Sequence, residues 1–480
     1  MNDGSDKRIA FALLVFAAAL IAFEIFATVR VPFISEDWTH LHVLRPVESL
    51  SAALDPRLEP LRPFQHGFFW VLSHSGLDPA ATKLPIMAHT FAWTLHAISC
   101  LCVFLLARAA GARGVGAWTA MALFAAFPNV KCIAWSAAIG SPGRVCFELI
   151  ALTLFVKHLT TPRPLLGAFG LAAFFLALGW HESAMMLAPV LVLWIVFMNG
   201  RTLREGLAQL RTALRDPWIV AFCACATAYV VYLFLRPTRH HQAKDLDALP
   251  ANVVKATTAL LPQDLRTMIV EGFRGTGGAA GSTLAWVLFA CIALGALALF
   301  RRSRTARFVL SACALELGLP ALGTGFVQRY AIFASALVAL GLGLWIARHG
   351  GVWRGVLVLL LGMTWTRDSV VDAGDFKQIG ERIPVWTADL RRLREATGPN
   401  IGVAIVNPPD MWGAEADIPL FNWGLDFMLE ARHIPGPWLL WRTVPYRTSS
   451  VVELVDESRL EAARRTGVPR LYEFHSIDRR

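Results

Sequence analysis

The sequence predicts an all-α polytopic membrane domain of about eleven transmembrane helices, followed by a small C-terminal α/β domain outside the cytoplasm. Three observations predict it. Apolar residues make up 55% of the 480-residue chain and charged residues only 17%, with a mean hydropathy of +0.50. A soluble domain is nearer a quarter charged. The apolar residues fall into blocks of about 15–24 residues separated by short polar joints, the pattern of membrane spans. Only the last part of the chain returns to ordinary soluble composition.

The blocks define spans at Ile9–Val29, Leu84–Ala107, Gly114–Val130, Val145–Val156, Leu165–Gly179, Ser183–Met198, Trp218–Leu235, Thr283–Phe300, Phe308–Gly325, Ala331–Ala347 and Val352–Trp365. The first block lacks a small-x-small exit and is read as an uncleaved span. The joints after even-numbered spans are basic: Arg108 and Arg113; Lys157 and Arg163; Arg201, Arg204, Arg211 and Arg215; Arg301, Arg302, Arg304 and Arg307; Arg348 and Arg354. Only Glu205 and Asp216 oppose them. Short basic loops stay in the cytoplasm, and Lys7 and Arg8 before the first span agree. The N-terminus is therefore expected in the cytoplasm. The tail is expected in the periplasm of a bacterial inner membrane, to which the Ala- and Arg-rich composition points. The Arg301–Arg307 cluster is read as a topology anchor rather than a lipid-headgroup site.

The domain organisation follows. Residues 1–366 form the membrane domain, with long outer loops at 30–83 and 236–282, and residues 367–480 form the outer domain. In the latter, Thr387–Ala396 reads as a helix and Ile401–Val406 as a strand ended by Asn-Pro-Pro. The net charge of +10 does not indicate nucleic acid, because the basic residues sit in joints rather than on a polar domain. All eight cysteines (Cys100, Cys102, Cys132, Cys146, Cys223, Cys225, Cys291, Cys313) lie in or beside apolar blocks. That excludes a disulfide framework in the outer segments.

Ionisable groups near a bilayer are costly and need a reason. The expected topology collects many of them on the outer face. Glu36 and Asp37 follow the first span, between aromatic residues in Phe33-Ile-Ser-Glu-Asp-Trp38. Partial burial and mutual repulsion would raise one pKa and suit it to general base work. Alternatively the pair supplies oxygen ligands to a divalent cation, or is a solvated loop. Arg62 precedes the second span, and Lys131 and Arg144 flank the outer joint of the third and fourth. His181 and Glu182 form the next outer turn. Arg329 and Tyr330 form the last, where a guanidinium suits a phosphate. Interfacial anchoring by Trp180 and Tyr330 is the bland alternative. His89, Trp93 and His96 share one helical face and read as polar packing between helices. His40-Leu-His42 is read only superficially as a metal pair. Glu24, Glu148 and Glu316 lie inside spans, where they either support an outer cavity or pair structurally.

Read in order, the motifs Glu36-Asp37, Leu61-Arg62-Pro63-Phe64, Phe124-Ala-Ala-Phe-Pro128, Lys131-Cys-Ile-Ala-Trp135, Ser141-Pro-Gly-Arg144, Trp180-His181-Glu182-Ser-Ala184, Leu319-Pro320 and Arg329-Tyr330 resemble the GT-C superfamily of membrane glycosyltransferases. The resemblance is to the protein O-mannosyltransferase and aminoarabinose transferase type, over about Ile9–Ala347. It implies transfer of a sugar, with inversion, from a polyprenyl-phosphate donor to a glycan, lipid or protein acceptor outside the cytoplasm. It also implies that Asp37 is the base with Glu36 as partner, and that Arg329, with Arg62, Lys131 or Arg144, steadies the donor phosphate. His181, Glu182 and Tyr330 would complete the substrate contacts. Leu61, His181 and the single Tyr330 depart from the usual pattern. The competing classes are a lipid or solute transporter or flippase, which would carry midplane charges and inverted repeats, and a non-catalytic scaffold whose tail does the binding.

Overall fold

The computed structural model describes residues 3–55, 62–235, 249–273, 278–322, 331–349 and 351–397, and shorter stretches between 401 and 473. Each apolar block is helical. α1 (Asp3–Thr28) is followed by three short helices of the first long loop, α2 (Glu36–Leu44), α3 (Leu50–Ala53) and α4 (Pro63–Ser73). Then come α5 (Lys83–Ala109), α6 (Val115–Ala126), α7 (Val130–Ile133), α8 (Gly140–Thr160) and α9 (Pro164–Trp180). A 3-10 turn at Ser136–Ala138 precedes α8. Another, Glu182–Met186, leads into α10 (Leu187–Trp194), which ends in a π-helical turn, Ile195–Asn199. α11 (Leu203–Ala213) and α12 (Pro217–Leu235) follow. The second long loop carries α13 (Leu249–Thr258) and α14 (Gln263–Phe273), and α15 (Gly278–Arg302), α16 (Arg304–Leu322), α17 (Ile332–His349) and α18 (Val352–Thr397) complete the helical part.

Among the described residues, six helices are long and apolar enough to cross a membrane, or up to seven if α11 and α12, bent by 92°, count as one span. The expectation of about eleven spans differs for identifiable reasons. α6 is only 12 residues long and stops at Phe127-Pro128, because the residue before proline is pushed out of the helical region. α9 reaches 17 residues. α16 opens on Arg304 and Arg307 and carries Glu316. α18 runs for 46 residues through the expected domain boundary at 366 and far beyond its apolar start. This is a multi-pass helical membrane protein: in α15 only 6% of the most apolar window is buried, so its apolar face is left outward.

The chain divides into two compact units. One comprises Met1–Phe23, Thr94–Cys132 and Gly140–Val370; the other comprises Glu24–Trp93, Ile133–Ile139 and Val371–Arg480. The first is a helical bundle packed by small residues. α6 presents Gly116 and Ala120 to Gly343 and Ala347 of α17, small residues four apart on each helix. A Cβ at Gly116 would lie 2.6 Å from the Gly343 carbonyl oxygen, and one at Gly343 would lie 2.4 Å from that of Gly116. Phe155, Phe174 and Phe222 interlock α8, α9 and α12 with ring centroids 4.5–4.8 Å apart.

The second unit holds the first-loop helices and the tail. The tail's β1 (Val403–Val406) is buried at every residue and is central in a parallel sheet of order β5-β4-β1-β6. The partners are β4 (Trp438–Arg442), β5 (Glu453–Leu454) and β6 (Arg470–Glu473). A strand buried on both faces reads as an unbroken apolar run, as Val403-Ala-Ile-Val406 does. β2 (Met411–Trp412) and β3 (Ile418–Pro419) form a two-stranded antiparallel pair, and α19 (Leu425–Ala431) and α20 (Glu457–Thr466) complete the tail. Asp456 caps α20 by accepting from the Arg459 N–H, and Gly467, at φ 67°, ends it in the left-handed conformation.

Gly343→Ala should force α6 and α17 apart and cost about 1–3 kcal/mol. Thermal unfolding in detergent would show a lower Tm. Gly295→Ala, where a Cβ meets nothing within 4 Å, should leave Tm unchanged or slightly raised.

Candidate active site

The acid pair sits at a strained corner. Ser35 has φ 46°, a left-handed value that no other non-glycine among the described residues adopts. Strain of this kind gathers at functional sites. The corner turns the chain out of Val31–Ile34 so that Glu36 and Asp37 open α2. Phe33 and Trp38 brace it: the Trp38 indole N–H donates to the Phe33 carbonyl at 2.8 Å, and the rings meet edge to face. The Arg432 guanidinium lies 5.9 Å over the Trp38 ring.

Within this corner Asp37 is fully enclosed, at 0% exposure, while Glu36 stays part-exposed. Asp37 Oδ2 accepts the Ile34 N–H at 2.9 Å, and Oδ1 accepts the Ala137 N–H at 2.5 Å. Burial pushes the Asp37 carboxyl up to about 8, against the two N–H bonds that favour its anion and with added repulsion from Glu36.

α4 closes the other side. Its Gln65 side-chain amide donates to the Ala137 carbonyl at 2.9 Å and approaches His40 Nε2 at 3.4 Å. Ala137 is thus held on both sides, its N–H by Asp37 and its C=O by Gln65. His40 stacks on Phe69 with centroids 4.7 Å apart. Burial, then the neighbouring His66, then Arg62 push His40 down to about 3. Burial and then Arg62 hold His66 at about 4. Both imidazoles are therefore neutral near pH 7, and the Arg62 charge lies close to both. Gln65 Oε1, His66 Nδ1, Ser35 Oγ, Thr39 Oγ1 and Ser136 Oγ are buried without a hydrogen-bond partner among the described residues. Buried polar atoms are normally satisfied, so such a concentration is what a polar ligand would complete.

The helical unit holds a second group. Arg144 on α8 is 3% exposed and lies between two carboxylates, with Nε 3.5 Å from Glu148 and a terminal nitrogen 3.4 Å from Glu316 of α16. The same nitrogen donates to Ser183 Oγ, which lies 2.8 Å from His181 Nδ1. His181 Nδ1 stands 3.6 Å from Glu182, whose side chain is 33% exposed. Arg144 is therefore a member of a buried ion cluster with Glu148 and Glu316. Lys131 is buried in α7. Beside it, Asn129 has neither side-chain atom hydrogen-bonded among the described residues.

The structure thus brings Glu36, Asp37 and Arg62 together in one unit, and Arg144, His181 and Glu182 in the other. Arg329 and Tyr330 lie outside the described residues. Trp93 donates to Thr28 Oγ1 at 2.9 Å, and His89 Nδ1 meets the Val29 carbonyl at 3.3 Å, which is polar helix packing. Among the described residues no group of three or more His, Cys, Asp or Glu side chains is placed to hold a metal ion, and both Asp37 oxygens are occupied by backbone N–H. Gln65, His66 and Ser136 escape a reading by acid and base motifs. The only signal for them is polarity within apolar stretches directly after Arg62-Pro63-Phe64 and after Trp135.

Fold and site define a multi-pass helical membrane protein with a carboxylate and guanidinium cluster in its first long loop. No protein-family model matches the chain, and no curated protein matches its sequence. Similar solved structures include crystal structures of the Archaeoglobus fulgidus oligosaccharyltransferase. The apo form is 12% identical with a TM-score of 0.44, covering 82% of this chain and 62% of that one. The complex with Zn and sulfate is 12% identical with a TM-score of 0.42, covering 82% and 60%. The form tethered to an acceptor peptide containing the NVT sequon is 12% identical with a TM-score of 0.44, covering 82% and 62%. The chain spans about three fifths of the length of these structures.

A raised Asp37 pKa means the folded state holds a proton that the unfolded state has already released. Its stabilising contribution is complete below the unfolded value near 3.8 and is lost as pH rises to about 8. Tm should therefore fall between pH 5 and about pH 8 in the wild type, and Asp37→Asn should flatten that slope. Asp37→Ala leaves two buried N–H donors without an acceptor, and Tm should drop at every pH by an amount equivalent to about 1–3 kcal/mol per donor.

Proposed function

We propose that this chain is a membrane glycosyltransferase of GT-C type. It transfers a sugar from a polyprenyl-phosphate donor to an acceptor hydroxyl on a glycan, lipid or protein, with inversion. The observation that carries the reading is the packing of α2 against α4. It gathers the acid pair and Arg62, 25 residues or more apart in sequence, into one cluster with unsatisfied buried polar atoms. The order of motifs along the chain supports it.

In this proposal the roles that the resemblance implies, Asp37 as base and Glu36 as partner, are exchanged. Glu36 is part-exposed and is assigned as the base. Asp37 is enclosed, with both oxygens engaged, and is assigned as a positioning residue that holds residues 133–139 against α2. In the reaction Glu36 takes the proton of the acceptor hydroxyl. The hydroxyl oxygen attacks the anomeric carbon from the face opposite the leaving group and forms the new glycosidic bond. The bond from that carbon to the phosphate oxygen breaks, and its electron pair leaves on the polyprenyl phosphate. One displacement inverts the anomeric centre. Arg62 balances the charge that develops on the phosphate, and neutral His66 supplies a hydrogen bond without competing for that charge. The site is proposed to open away from the cytoplasm.

The test supplies purified protein with a radiolabelled polyprenyl-phosphate sugar and a panel of acceptors. Wild type should transfer label to one of them. Glu36→Gln should lose about 10²-fold or more in kcat with Tm unchanged. Arg62→Gln should raise KM for the donor and lower kcat, with partial recovery in Arg62→Lys. Asp37→Asn, whose amide NH2 faces one of the two backbone N–H donors, should lower Tm while keeping a measurable part of the transfer. Loss of transfer in Asp37→Asn with none in Glu36→Gln would reverse the two assignments. Absence of transfer by wild type to every acceptor, with movement of the labelled lipid across the bilayer, would replace transferase with flippase.

A further inference from the structure

α11 is built as a surface helix. Thr202 Oγ1 accepts the Glu205 N–H, and Glu205 reaches back to the Arg201 N–H at 2.8 Å, so both sides of the N-terminus are capped reciprocally. At about 100° per residue, Leu203, Leu207, Leu210 and Leu214 fall within roughly 60° of one another. Leu203, Leu207 and Leu214 are 56%, 46% and 45% exposed, so the stripe is not spent on the bundle. Gly206 and Ala213, on one flank, are the residues that α11 buries. On the other flank Arg204, Arg211 and Arg215 form a row, all exposed. Only Glu205 and Asp216 are acidic nearby. Asp216 is engaged at the α12 N-terminus, accepting from Trp218 and Ile219, and by His158 at 2.9 Å.

Placement adds to composition. α12 is an apolar helix, and α11 meets it at 92°. With α12 taken along the bilayer normal, α11 at 92° to it lies in the plane of the bilayer. More cations gather at the same end: Arg304 donates to the Gly200 carbonyl at 2.8 Å, just before α11, and Arg348 donates to Thr305 Oγ1 at 2.7 Å. Exposed leucines beside a row of arginines match the boundary between acyl chains and anionic headgroups.

We propose that α11 is an in-plane anchor that binds anionic membrane lipid, with its leucine stripe in the acyl region and Arg204, Arg211 and Arg215 on the headgroup phosphates. The source of the negative charge is the lipid surface, not a soluble anion or a second protein.

The test uses full-length protein in nanodiscs containing phosphatidylglycerol and in nanodiscs of phosphatidylcholine alone. Amide hydrogen exchange is followed over residues 203–214. Exchange should be slower with phosphatidylglycerol. The triple variant Arg204→Gln/Arg211→Gln/Arg215→Gln should lose about five-fold in protection per arginine removed, with exchange in α12 unchanged as the sign of an intact fold. A dye on Leu207→Cys, in a Cys291→Ser background, should be quenched by lipids brominated on the acyl chain. Equal exchange in both nanodiscs, or an unquenched dye, would overturn the proposal. So would protection in phosphatidylcholine discs on addition of inorganic phosphate, or protection that follows dimer formation.

Discussion

Ala137 is the point on which the candidate site depends. Its N–H is taken by Asp37 and its C=O by Gln65, residues 100 and 72 positions away. A residue whose backbone is held on both sides by side chains from two helices fixes three segments at once. α2 cannot rotate without releasing Asp37, and α4 cannot shift without releasing Gln65. The strained Ser35 corner is affordable only because Asp37 also binds Ile34 from within its own turn. The part-exposed Glu36 and the nearby Arg62 inherit their positions from this clasp.

Buried charge is handled differently in the two units. In the first-loop unit the enclosed carboxyl is met by backbone N–H groups, which carry no net charge. Its protonation then follows from burial, which lifts it towards 8. In the helical unit the enclosed cation is met by two carboxylates, Glu148 and Glu316, with Ser183 filling a further direction. An ion cluster of this kind adds less to stability than its Coulomb energy suggests, because each member is desolvated. Its value is specificity of packing: α8, α16 and the Glu182–Met186 turn must meet in one register for Arg144 to be satisfied.

Much of this was legible in the residues. The apolar blocks mark the helices, because an all-apolar run of that length has few other folded solutions. Glu36-Asp37 stand out as acids between aromatics, and Ile401–Val406 as a strand, of which Val403–Val406 forms one. Three things were not legible. Glu316 is 172 residues from Arg144, and no local pattern carries that distance. The separate fates of two adjacent acids depend on the Ser35 corner, whose left-handed φ is unusual for serine and gives no compositional sign. Gln65 and His66 carry no net charge at neutral pH, so a reading that follows charge passes over them. Helix length was misleading in the same way, since α18 stays helical long after its apolar content ends.

Glu36 is proposed as the carboxylate open to substrate, with Asp37 closed behind it. Carbodiimide coupling of a small amine to accessible carboxyl groups, mapped by mass spectrometry of the full-length protein, tests it most directly. Glu36 should be modified and Asp37 should not, and a polyprenyl-phosphate sugar should protect Glu36. Modification of Asp37 at the rate of Glu36, with protection of Asp37 by the same donor, would contradict it.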